Sequence, residues 1–162
     1  MVPTMASFSP AETERQWDYE LLQDGAVSSF HDEKQLDHVV SELVSLGYGV
    51  AQIRGGNGTS LLGKLLSQVT MRYGGWSVQN LDAFCDVLRY IDFTGVTGCA
   101  LVLRQFDEPF GADPQWTVAM ANTIAQVSYE HLLMGNRLLA LLHCQDEDVT
   151  LGRLGGHEHS WR

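Results

Sequence analysis

The chain is poor in basic residues, poor in proline and almost free of cysteine, and each shortage narrows what it can be. Its 162 residues hold 10 Lys and Arg against 20 Asp and Glu, a formal net charge of −10. A chain so acidic does not hold a nucleic-acid backbone or an anionic membrane by bulk charge, whereas a basic protein is a natural partner. The three cysteines, Cys85, Cys99 and Cys144, are an odd number without metal-type spacing, which points to reduced thiols in a cytoplasmic setting. Four prolines and 16 scattered glycines exclude fibrous and repeat architectures. No run approaches the ~20 apolar residues of a membrane helix, and the first residues lack the apolar core of a signal peptide. Catalytic motifs are missing too: there is no Ser-His-Asp order, no His-Glu-x-x-His and no Cys-x-x-Cys. The glycine-rich Gly55-Gly56-Asn57-Gly58 lacks both the Gly-Lys-Ser/Thr ending of a P-loop and the spacing of a dinucleotide site, so it reads as a strand-to-helix turn. No catalytic residue, cofactor or resident metal is expected.

What is present is a core. Apolar residues make up 44% of the chain, enough for one domain with room for polar ends. Charge is unevenly placed. Residues 1–47 carry a net −7, residues 48–79 a net +3 with no acid at all, and residues 80–130 a net −5.

Residues 1–15 read as a disordered arm and 16–47 as an N-terminal extension. Within it, Trp17–Leu22 and Ala26–Phe30 flank Asp24-Gly25, the signature of a hairpin. A helix capped by Asp32 follows, with Leu36, Val39, Val40 and Leu43 on one face and Gly47 closing it. Tyr48–Ile53 is a buried strand and Leu61–Val69 the apolar stripe of a second helix. Asn80 caps a third helix running to about Tyr90, with Leu81, Phe84, Cys85 and Leu88 toward the core. Cys99–Phe106 reads as a strand, Asp107–Pro114 as a loop, Gln115–Met134 as a long helix and Arg137–His143 as a last buried strand. Residues 145–162 read as a flexible tail. Helices alternating with nearly continuous apolar strands predict an α/β fold on a mostly parallel sheet.

The third helix carries the feature most in need of explanation. Asp82 and Asp86 lie one turn apart on one face and repel each other. Asp82 sits in the first turn, where the helix dipole favours an acid; Asp86 has no such support and is a poor helix former. The pair is either a solvated face, part of an acid–base or metal cluster, or an acidic ridge for a cationic partner. His157-Glu158-His159 in the tail offers only an adventitious metal site.

The nonapeptide Asn80-Leu81-Asp82-Ala83-Phe84-Cys85-Asp86-Val87-Leu88 resembles the signature helix of the barstar-like family, bacterial inhibitors of secreted guanyl-specific ribonucleases. Tyr73-Gly74 is similar to the aromatic-glycine lead-in to that helix, and Ala100–Phe106 to the family's middle strand. The resemblance spans residues 48–144 and implies a small parallel sheet of three core strands packed with helices. It implies that the acidic helix and the loop before it enter a ribonuclease active site, with carboxylates where substrate phosphates would lie. Carried over by position, the binding residues are Asp82, Asp86 and Glu130, together with Asn80 and an aromatic side chain from Tyr73 or Trp76. Two features depart from the family pattern: the loop is lengthened by Ser77-Val78-Gln79, and Cys85 stands where an aromatic residue is common. The implied protein is a monomeric cytoplasmic inhibitor of a basic secreted-type ribonuclease or a related nuclease toxin. Alternatives are immunity toward another toxin, or a scaffold reused for a different protein contact.

Overall fold

In the computed structural model, which describes residues 17–23, 25–159 and 162, the apolar runs become strands and the amphipathic stretches cover them. The order is α1 (Trp17–Gln23), β1 (Val27–Phe30), α2 (Glu33–Ser45), β2 (Gly49–Arg54), α3 (Gly58–Leu66), α4 (Leu81–Arg89), β3 (Cys99–Arg104), α5 (Asp107–Ala112), α6 (Pro114–Leu133), β4 (Leu138–His143), β5 (Arg153–Leu154) and β6 (His157–Glu158). The main sheet has four strands, ordered β1-β4-β3-β2 and parallel throughout. Leu138–Leu142 and Cys99–Leu103 are buried on both faces, which is why β4 and β3 read as unbroken apolar runs.

Helices flank the sheet on two sides. On one face Leu62, Leu65, Phe84, Leu88, Met120 and Ile124 from α3, α4 and α6 meet Leu101, Leu103, Leu138 and Leu142. On the other, Leu21, Leu36, Val39 and Leu43 from α1 and α2 meet Ala100, Val102, Leu139 and Leu141. Burying each large aliphatic or aromatic side chain contributes about 1.5–3 kcal/mol.

Several expectations need correction. The hairpin over Trp17–Phe30 does not form. Trp17–Gln23 is helical, and Gly25, at φ +103, returns its N–H to the Leu22 carbonyl to end that helix. A glycine with positive φ serves a helix end as well as a hairpin turn, so Asp-Gly alone did not discriminate. Ala26–Phe30 supplies β1, parallel to β4 with Val27 opposite Ala140 and Phe30 opposite His143. The sheet therefore has four strands rather than three, and the segment read as an extension contributes an edge strand and one helical layer. Residues 145–162 are also not simply a loose tail. β5 and β6 pair antiparallel, and Val149, Leu151 and Leu154 are buried beside α6. Asp107–Ala112 is a short helix, compatible with Pro109 because a first-turn residue has no helical N–H bond to lose. The expected arm over residues 1–15 lies outside the described residues.

One buried polar network ties the new layer to the sheet. Asp18 is fully buried and accepts from the Tyr48 hydroxyl at 2.8 Å and from Arg137 Nη1 at 2.8 Å. Tyr48 leads into β2 and Arg137 into β4, so one carboxylate on α1 joins two strand entrances. Burial, then the neighbouring Asp18 charge, push the Tyr48 phenol far above its ordinary range, which keeps it a hydrogen-bond donor.

Both sheet edges have cover. On β2, Gln68 accepts from Gln52 N at 3.1 Å and donates to Gln52 O at 2.8 Å, imitating a neighbouring strand. On β1, Arg162 N donates to Ser29 O at 2.7 Å and His159 bonds the Ser29 hydroxyl. All three cysteines are free thiols. Among the described residues, no helix is long and apolar enough to cross a membrane.

Candidate functional site

α4 begins where Asn80, in an extended conformation, turns its side-chain oxygen onto Ala83 N at 2.8 Å. The carboxamide oxygen of this expected contact residue thus serves as a helix cap. Phe84, Val87 and Leu88 are buried, while Leu81 and Cys85 are only half-buried, so the inward stripe is turned slightly from the one predicted. That rotation leaves Asp82 and Asp86 exposed on the outer face.

α6 supplies the third acid. His131 is buried, its Nε2–H donates to Leu88 O at 2.9 Å, and its ring meets Phe93 edge-on with centroids 4.9 Å apart. The bond satisfies a carbonyl in the last turn of α4 and fixes α6 against it. Glu130, one residue earlier, consequently lies against the end of α4. Arg89 bridges the helices: Nε reaches Glu130 Oε2 at 2.7 Å, Nη2 reaches Oε1 at 2.9 Å, and Nη1 reaches Asp86 Oδ1 at 3.1 Å. The Arg89 hydrogen bonds hold the Glu130 carboxyl below its usual range, against the opposing effect of partial burial. The same pairing holds the guanidinium even more firmly protonated than usual. Glu130 is thus ionised at neutral pH and unsuited to act as a general acid.

The loop before α4 hangs from two backbone ties. Asp92 N donates to Thr70 O at 2.9 Å and Arg72 N to Tyr90 O at 2.8 Å, so the loop starts beside the helix end. Tyr73 is 66% exposed and packs edge-to-face on Tyr90, ring centroids 5.4 Å apart. Trp76 is half-buried against the core. Between loop and helix lies an open groove of about 330 Å³ walled by Met71, Tyr73, Trp76, Asp86, Val87 and Tyr90. Cys85 lies within the fields of Asp82, Asp86, Arg89 and Glu130, and its thiol is pushed up chiefly by partial burial. It is not an activated nucleophile.

All six expected residues therefore fall on or beside one surface. Asp82, Asp86 and Glu130 form its acidic part, Tyr73 and Trp76 its aromatic rim, and Asn80 caps the helix that carries it. Sequence reasoning missed Arg89 and Tyr90. Arg89 stands three residues after Asp86, a spacing legible as a helical ion pair, but its bond to Glu130 spans 41 residues and only packing reveals it. Among the described residues, no group of three or more His, Cys, Asp and Glu side chains could hold a metal ion. The carboxylate face is open to solvent and only partly neutralised, by Arg89. No protein-family model, curated protein or solved structure matches the chain.

Proposed function

We propose that this chain is an intracellular inhibitor of a basic, secreted-type ribonuclease, built on a barstar-like scaffold and acting as a monomer without cofactor. The observation that carries the proposal is the convergence of Asp82 and Asp86 on α4 with Glu130 on α6 beside an exposed Tyr73. A ribonuclease site is lined with cations that hold phosphates, and rigid carboxylates satisfy such cations with charge-assisted bonds. Asp86 has one oxygen on Arg89 and a side chain 67% exposed, so it remains accessible to a partner cation. Tyr73 offers a ring for stacking on an imidazole or guanidinium. The net charge of −10 speeds encounter with a basic enzyme. Inhibition needs no chemistry: the acidic face fills the cleft in place of RNA.

The test is RNA cleavage by a panel of small basic ribonucleases, with wild-type protein and with Asp82→Ala/Asp86→Ala. Stoichiometric inhibition lost in the double variant supports the proposal; inhibition that survives it removes the acidic helix from the interface. A second reading, immunity toward a different toxin, is favoured by Arg89, which already occupies part of the acidic face. Co-purification of a non-nuclease toxin through the same aspartates would establish it.

A further inference from the structure

The acidic face already contains a cation of its own. Arg89 donates two bonds to Glu130 and one to Asp86, and its side chain is 40% exposed, so the cluster lies at the surface rather than inside the core. Three carboxylates and one guanidinium give the ridge a formal charge of −2 rather than −3. Both Glu130 oxygens are engaged, so a partner cation meets Asp82 and the remaining oxygen of Asp86. Glu130 stays 36% exposed, but a cation approaching it meets the guanidinium already bound there in a bidentate pair, among the stronger ion-pair geometries available to side chains.

Resting on the docking function proposed above, we infer that Arg89 is a specificity-setting residue, an internal cation that competes with a partner's cations for Glu130 and for one oxygen of Asp86. The face accepts a partner whose cations fall along the Asp82–Asp86 ridge and rejects one that requires all three acids. Specificity of this kind comes from an element that opposes unwanted partners, here a fixed like charge at the centre of the face. Cys85 lies inward of the cluster with a protonated thiol and does not compete for the guanidinium.

The experiment uses hexa-arginine amide as a defined cationic probe, titrated calorimetrically into the whole 162-residue chain at low and at ~150 mM salt. Variants are Arg89→Gln, Arg89→Lys, Arg89→Gln/Glu130→Gln, and Arg153→Gln, which removes an equal charge from an exposed site on β5. Arg89→Gln is expected to bind the probe roughly tenfold more tightly, about the effect of one charge-assisted contact. The double variant keeps only the smaller share of the gain that belongs to Asp86, Arg89→Lys lies between, and Arg153→Gln changes affinity less than twofold. A gain in Arg89→Gln no larger than in Arg153→Gln overturns the inference, because net charge rather than the internal pair would then explain it. A gain undiminished in the double variant overturns it as well, since Glu130 would then have no part in the release. The same variants in the ribonuclease panel separate the two claims. If neither wild type nor Arg89→Gln inhibits any enzyme, the inhibitor proposal fails while the role of Arg89 is decided by the probe. If wild type inhibits and Arg89→Gln gains no further enzymes, Arg89 does not set specificity.

Discussion

Replacing Arg137 by methionine removes the only cation that, among the described residues, is bonded to a carboxylate with no contact with water. Asp18 is 0% exposed and accepts from Arg137 Nη1 at 2.8 Å, from the Tyr48 hydroxyl at 2.8 Å and from Tyr19 N at 3.0 Å. Methionine preserves much of the buried stem but leaves the carboxylate with two neutral donors and no countercharge. Breaking a buried pair from one side costs about 3–5 kcal/mol, and the two surviving hydrogen bonds place this case near 3 kcal/mol. With a urea m-value of about 2 kcal/mol/M for a chain of this size, the unfolding midpoint falls by roughly 1.5 M. Removing the stranded charge as well, in Asp18→Asn/Arg137→Met, should recover at least half of the loss, because the penalty belongs to the unpaired ion more than to the lost attraction. Equilibrium urea unfolding followed by circular dichroism measures both. A loss under ~1 kcal/mol in the single variant would place the pair among weak surface contacts and refute the claim that this network joins α1 to the sheet.

Other outcomes follow from particular contacts. Asp86→Ala should weaken binding to the authentic partner by at least ~2 kcal/mol, about thirtyfold in Kd by calorimetry, while leaving the melting temperature nearly unchanged because the side chain is exposed. Burial lowers the His131 pKa in the folded state, so below the unfolded value of about 6.5 the unfolded chain binds the extra proton. Its contribution to stability is complete above that pH and declines as pH falls toward the folded pKa, by at most ~1.4 kcal/mol per pH unit. Urea unfolding of wild type and His131→Gln between pH 7 and pH 5 should therefore show a shallower decline in the variant; parallel declines would contradict the assignment. Gln68→Ala strips the side-chain cover from Gln52 of the β2 edge. It should raise self-association in sedimentation experiments at high concentration, and sedimentation identical to wild type would show that the edge needs no guard.

The α/β class, the parallel sheet and the location of α4 were legible in the sequence, because each depends on a local pattern: unbroken apolar runs for β3 and β4, a stripe at helical spacing for α2 and α3, Asn80 as a cap. Asp82 and Asp86 stood out because adjacent like charges on a helix need an explanation. Ala26–Phe30 was legible as a strand, but Trp17–Leu22 was misread as its hairpin partner because Asp-Gly serves hairpins and helix ends alike. Only the docking of Leu21 among α2 and the sheet, with Asp18 against Arg137, makes that segment helical. The burial of Val149, Leu151 and Leu154 was equally invisible, since three apolar residues spread through a polar stretch acquire meaning only beside α6. The acidic surface divides in the same way. Its aspartates are set by spacing along one helix, but whether they face a partner bare or already paired is decided by Arg89 and Glu130. Their meeting depends on how α6 packs across α4, a long-range contact that no periodicity along the chain encodes.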